Sequence, residues 1–198
     1  MNTRIARWTI LPLAALSLTA CGINSVPTAE EYAKAKWADV ENQYQRRADL
    51  IPNLVETVKG FAKQEQDTLT AVIEARAKAT SVQLNAGDLN DPAKVAQFQQ
   101  AQGQLGGALS RLMVSVERYP DLKSNQNFLA LQSQLEGTEN RIAVSRRDYN
   151  ESVRQYNTTI RTFPDIIGAK VIHGAEPLTP FKATTQNAEQ APAVSFDK

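Results

Sequence analysis

The chain has 198 residues with 22 Lys+Arg, 21 Asp+Glu and one His, a formal net charge of +1. Mixed charge without blocks excludes the basic face or stripe that nucleic-acid binding requires, and the length suits one domain. The single cysteine, Cys21, excludes an internal disulfide and leaves no second thiol for a metal site, while a mean hydropathy of −0.39 fits a soluble body.

Residues 1–8 carry Arg4 and Arg7 and no acid, and residues 9–20, TILPLAALSLTA, carry no charge. A basic stretch before a short apolar run is the layout of a secretory signal. The run is shorter than the ~20 residues a bilayer span needs, and Pro12 opposes a helical span. Leu18-Thr19-Ala20-Cys21 resembles a bacterial lipobox. The resemblance implies cleavage after residue 20 and acyl chains on Cys21, with residues 21–29 as a tether. An ordinary signal peptide with a chance cysteine, or a short buried anchor, is the other reading. One acyl chain binds marginally and two or three bind firmly, at ~0.8 kcal/mol per buried CH₂. Loss of Arg4 and Arg7 leaves 20 basic against 21 acidic residues, a net of −1. Gly22, where sorted lipoproteins can carry Asp, implies the outer membrane in a host that has two.

A long helical pattern follows. Trp37, Tyr44, Ile51 and Val58 recur every seventh residue, with Val40, Leu54 and Phe61 in the intervening seam. That heptad pattern predicts helices packing nearly parallel, in the manner of coiled coils. Pro52 predicts a kink or brief break near residues 50–52, and Gly60 weakens the end of the stretch. Leu69, Val72, Ile73 and Arg76 continue a helical face to about Thr80. Asp91 and Pro92 suit the cap and first position of a new helix, which carries Val95, Phe98, Gln102, Leu105, Leu109, Leu112, Val116 and Tyr119 on one face. Gly103, Gly106 and Gly107 inside it mark a loose turn or a close helix approach. With Ser124 or Asn125 as cap, the last helix runs to Thr162, with Phe128, Leu135, Ile142, Tyr149, Tyr156 and Phe163 one heptad apart and Leu131, Thr138, Ser145 and Ser152 as the smaller seam. Phe163-Pro164 ends it. An ordered irregular tail laid on the bundle is expected from 171 onward, with residues 185–198 disordered.

Three segments carry a family resemblance: WADVENQYQRRADLIPNLVETVKGFAKQEQDTLTAVIEARAKA, YPDLKSNQNFLALQSQLEGTENRIAVSRRDYNESVRQYN and RTFPDIIGA. Together they resemble the LemA family over roughly residues 30–170. The resemblance implies an all-α fold, a long antiparallel helical bundle at a membrane, facing away from the cytoplasm in exported members. Members usually have an N-terminal transmembrane helix, where this chain has the lipobox. The tail after the Phe-Pro motif reads VIHGAEP instead of the usual FGF-like sequence. The family brings no catalytic chemistry to carry over.

The residues themselves suggest no catalytic or metal-binding set and no cofactor. His173, the only histidine, has no visible partner spacing for a base or a ligand. Glu136 and Glu139 are i,i+3 neighbours on a helix surface, and Asn157-Thr158-Thr159 matches a glycosylation sequon in mid-helix. Arg47 falls in the seam with Val40, Leu54 and Phe61. It is either paired with an acid on a facing helix, fixing register, or an anion or partner site. Glu65, Glu74, Arg76, Glu136, Glu139, Arg141, Arg146 and Asp148 are similar candidates for pairing or solvated faces. Arg46, Arg47, Asp49 and Asn53 beside Pro52 form a candidate partner-binding or ion-pair cluster, because a kink exposes backbone carbonyls. The functional expectation is a non-enzymatic scaffold or binding protein of the bacterial cell envelope, anchored through acylated Cys21, with envelope proteins as partners. An accessory or sensor factor for an envelope protease or signalling system is the alternative, and a cell-wall enzyme lacks a catalytic constellation.

Overall fold

The computed structural model describes the backbone of residues 3–182 and the side chains of residues 24–182. Its described elements are all helical: α1 (Thr3–Phe61), α2 (Gln66–Ser81), α3 (Pro92–Val116), α4 (Pro120–Lys123), α5 (Gln126–Thr159) and α6 (Asp165–Gly168). A 3₁₀ turn at Ala86–Asp88 and a π turn at Ala169–His173 join them. Among the described residues no helix is long and apolar enough to cross a membrane.

Cross-helix contacts define an antiparallel four-helix bundle of α1, α2, α3 and α5. Along α1, Ser25 meets Asp165, Trp37 stacks on Tyr149 and Arg47 pairs with Glu139, so the partner number falls as that of α1 rises. Arg76 of α2 reaches back to Ala48 of α1, and Gln102 of α3 reaches Ala79 of α2. The heptad residues Trp37, Val40, Tyr44, Ile51, Leu54 and Val58 are buried, as are Phe128, Leu135, Ile142, Tyr149 and Tyr156 of α5. Trp37, Phe98, Tyr149 and Phe181 interlock edge to face at 5.4–5.6 Å, the geometry that aligns ring edges with the negative faces of neighbours.

Two heptad aromatics leave the core. Phe61 is 47% exposed and Phe163 77%. Phe61 is the last residue of α1, and Phe163 lies beyond α5, which stops at Thr159 rather than at Thr162; Ala62 and Ile160, each the first residue past its helix, are buried instead. The expected break at Pro52 is absent, and α1 runs through it. Pro52 has no N–H to offer the carbonyl four residues earlier. That carbonyl belongs to Ala48, and the Arg76 Nε–H donates to it at 2.8 Å. The chain reverses after Gly60, at residues 62–65. The tether read at 21–29 is helical, because Val26 is fully buried and the Ser25 hydroxyl donates to Asp165.

The helix starts follow their caps. Asp91 accepts from the Ala93 and Lys94 N–H groups, with Pro92 in the first turn, and Asn125 accepts from those of Asn127 and Phe128. A side chain at Gly103 would meet nothing within 4 Å, and one at Gly106 only the Arg47 guanidinium at 3.9 Å, so no neighbouring backbone approaches this face. Past the π turn, Gly174 takes the left-handed conformation at φ 56°, and residues 174–182 extend along the bundle. The expected disorder of residues 185–198 lies outside the described residues.

Ile142→Ala should cost about 2–5 kcal/mol, as truncation of buried Ile does. Gly137→Ala, on an exposed turn of α5 with open space around its Cβ, should stabilise by about 0.5–1 kcal/mol by removing the helix cost of glycine. Urea unfolding of the two variants checks both signs.

Candidate functional site

Arg47 occupies a position between Tyr44 and Ile51 that belongs to the apolar seam, and it is 3% exposed. A guanidinium there survives only with partners. Its Nη1 donates to Glu139 Oε1 at 3.0 Å, and its Nη2 donates to Gln102 Oε1 at 2.6 Å and to the Gln102 carbonyl at 3.2 Å. The Tyr44 ring lies 5.1 Å from its centre. Gln102 is itself buried and passes the connection on, donating from Nε2 to the Ala79 carbonyl at 3.2 Å. One polar layer therefore joins α1, α2, α3 and α5. It separates two apolar cores, one containing Trp37, Tyr44, Phe98, Ile142 and Tyr149, the other Ile51, Leu54, Leu105, Leu112 and Leu135.

Beside the layer, Tyr44, Gln99, Gly103, Gly106 and Arg146 line a cavity of about 220 Å³ together with its members. Burial pushes the Tyr44 phenol above its ordinary pKa. A second buried charge sits at the α1–α2 reversal. Glu65, 8% exposed, accepts from Arg118 Nη2 at 2.7 Å and from the Tyr119 hydroxyl at 2.9 Å. The bond to that carboxylate raises the Tyr119 pKa.

The extended tail is held by asparagines. Asn157 donates to the Leu178 carbonyl and accepts from the Leu178 N–H, both at 2.8 Å. Asn150 does the same with Phe181, at 3.0 and 2.8 Å. The Thr179 N–H goes to the Leu89 carbonyl, and the Thr179 carbonyl accepts from the Tyr149 hydroxyl. Pro180 has no N–H, so every backbone donor from 178 to 181 is accounted for. Leu178 and Phe181 are buried. Arg146 lies 4.8 Å over the Phe181 ring and donates to the Lys182 carbonyl.

The candidate cluster is split by the fold. Arg47 points inward, while Arg46, Asp49 and Asn53 are exposed on the opposite face of α1. Asp49 accepts from Gln45 Nε2 at 2.7 Å. Of the carbonyls expected to be free beside Pro52, that of Ala48 is occupied by Arg76. Glu136 accepts from Gln132, and its neighbour Glu139 turns to Arg47. His173 is exposed in the π turn. The Cys21 side chain lies outside the described ones. Among the described residues, no group of three or more His, Cys, Asp or Glu is placed to hold a metal ion. Sequence reasoning missed Gln102 as the partner of Arg47 and missed Asn150 and Asn157 as tail clamps. A glutamine inside the apolar series from Phe98 to Leu105, and two asparagines one heptad apart, were the available marks.

Residues 36–196 match the model of a family described as the LemA family. The chain is 30% identical over 159 residues to the magnetosome protein MamQ of Magnetospirillum gryphiswaldense, covering 71% of this chain and 58% of that protein. It is 29% identical over 157 residues to MamQ 2 of Paramagnetospirillum magneticum, with the same coverages. To the protein LemA of Metamycoplasma hominis it is 26% identical over 118 residues, covering 60% of this chain and 49% of that one. The alignments thus span about half the length of these relatives.

Arg47→Ala should destabilise by about 3–5 kcal/mol, because it strips buried polar groups of their partner. Arg47→Met, which keeps the volume but strips the same groups of their partner, should recover only the packing share of that loss and stay below wild type. Chemical denaturation of the two variants separates loss of packing from loss of charge. Asn157→Ala should speed hydrogen exchange at the Leu178 amide by about tenfold or more, since it leaves that donor without its protein acceptor at a cost of about 1–3 kcal/mol.

Proposed function

The chain belongs to the LemA family, and from that premise we propose that it is a membrane-anchored, non-enzymatic helical scaffold or binding protein of the bacterial cell envelope. The anchor is acylated Cys21, on the extracytoplasmic side, and in a host with two membranes it is the outer one. One observation carries the non-enzymatic reading: among the described residues the six buried polar side chains, Arg47, Glu65, Gln102, Ser115, Thr138 and Ser152, each have a partner within the fold, and of their polar atoms only the Arg47 Nε is left unmet. A catalytic interior holds polar groups ready for a substrate; here Arg47, Glu65 and Gln102 tie one element to another, and the three hydroxyls bond carbonyls of their own helices. Chemistry with other molecules is left to the outer faces, and Arg46, Asp49 and Asn53 offer such a face on α1.

Cys21→Ser should abolish labelling by a fatty-acid analogue and release or stall the protein; normal labelling with unchanged membrane fractionation would sink the anchor. Arg46→Glu, at an exposed position, should leave stability within about 0.5 kcal/mol and remove crosslinks to envelope proteins. Unchanged crosslinks, or a melted fold, would remove this face from consideration.

A further inference from the structure

Large apolar side chains stand exposed on the bundle mostly one at a time, which is ordinary for a soluble surface. The end formed by α6 and the π turn is different. Phe163 is 77% exposed, Ile167 50%, Val171 79% and Ile172 56%. Ile167 and Val171 are four residues apart, on successive turns of the α6–π segment, and Phe163 lies in the turn that leads into it. Gly168 and Ala169 face the opposite way and are buried against the bundle. The patch is therefore the outer side of a turn whose inner side is fixed. Arg161 and Lys170 lie exposed within the same stretch, and its acid, Asp165, is already engaged by the Ser25 hydroxyl.

That last bond decides which end of the molecule this is. Ser25 lies on α1, the helix that also contains residues 9–20, the uncharged apolar run. At 1.5 Å per residue, Ser25 is only about 6 Å along the helix from Cys21 and about 8 Å from residue 20. The interfacial layer into which amphipathic elements settle is about 5–10 Å deep. Apolar groups at this height, flanked by Arg161 and Lys170, match the acyl boundary and the anionic headgroups above it.

We propose that Phe163, Ile167, Val171 and Ile172, with Arg161 and Lys170, form a foot that seats the bundle on the lipid surface. The inference rests on the anchoring reading above and adds an orientation to it. The bundle stands on end, α1 leaves the surface near Ser25, and the α1–α2 reversal at residues 62–65 is raised by roughly 55 Å. Partner-binding faces along α1 are then presented at fixed heights rather than swept about on a loose linker.

The test uses the full chain reconstituted in vesicles of phosphatidylethanolamine and phosphatidylglycerol at roughly three to one, an anionic surface of the kind such cations meet. Val171→Cys and Lys63→Cys are labelled separately with an environment-sensitive fluorophore, and the unsubstituted chain supplies the background from Cys21. Flotation reports anchoring; quenching by lipids carrying a nitroxide near the headgroup reports the foot. The expected result is flotation of both variants, with a blue shift and at least twofold quenching at 171 and neither at 63. Flotation with 171 behaving like 63 overturns the foot and leaves the anchor standing. Failure to float overturns the anchor and the foot with it. A blue shift at 171 that lipid nitroxide does not quench, and that fades as the protein is diluted in lipid, overturns the lipid assignment in favour of a second copy covering the patch.

Discussion

The fold is organised around one buried cation. Placing a guanidinium inside an apolar bundle costs several kcal/mol of desolvation unless its donors are met, and Arg47, whose Nε is left unmet, offsets that cost only where Gln102 and Glu139 stand level with its two Nη groups. Apolar heptads alone do not provide this demand. Slide α5 by seven residues and aromatic again faces aromatic, with little to tell the arrangements apart. The same slide would carry Glu139 about 10.5 Å from Arg47 and strand the charge. The layer thus turns a repeating pattern into a single register, the best-attested use of a polar group in a helical seam. Because Gln102 also bonds the Ala79 carbonyl, the alignment extends to α2, which has no charge in the layer.

What the sequence disclosed follows from what each residue records locally. Trp37 to Val58 and Phe128 to Tyr156 announce their burial because helix geometry alone places every seventh residue on one side. Asp91 and Asn125 announce helix starts because capping is completed within three residues. Phe61 and Phe163 break the rule because periodicity carries no information about where packing stops. The break offered at Pro52, as the alternative to a kink, fails for a related reason. The local cost of Pro52 is real, but the compensating donor, Arg76, is 28 residues away from Ala48, and nothing in the neighbourhood of the proline points to it. An acidic partner for Arg47 is foreseeable as a type; that it is Glu139, with Gln102 beside it, is a fact about the turn lengths between helices.

The two ends of the bundle are chemically unlike. At the reversal between α1 and α2, a buried carboxylate collects Arg118 and Tyr119, and the turn is closed by polar bonds. At the other end, Trp37, Tyr149, Tyr156 and Phe181 pack among aliphatic residues in an apolar core, capped by a short turn that keeps its small residues inside and its large ones out. The interior is thus tied by charge at one end and by stacked rings at the other, with Arg47 between.

The tail shows how little sequence a firm attachment can require. Asn150 and Asn157 are one heptad apart, about 10.5 Å along a helix. Leu178 and Phe181 are three residues apart in extended chain, at about 9.5–10 Å. The two rulers agree almost tick for tick, like the scales of a vernier, so both amides can close on backbone at once. Each amide bonds main-chain atoms only, and is indifferent to the side chain it holds. The strap is therefore coded by arithmetic more than by letters: exchanging residue 179 or 180 leaves the scales aligned, whereas inserting a single residue between 178 and 181 would put one clamp out of step whatever that residue was.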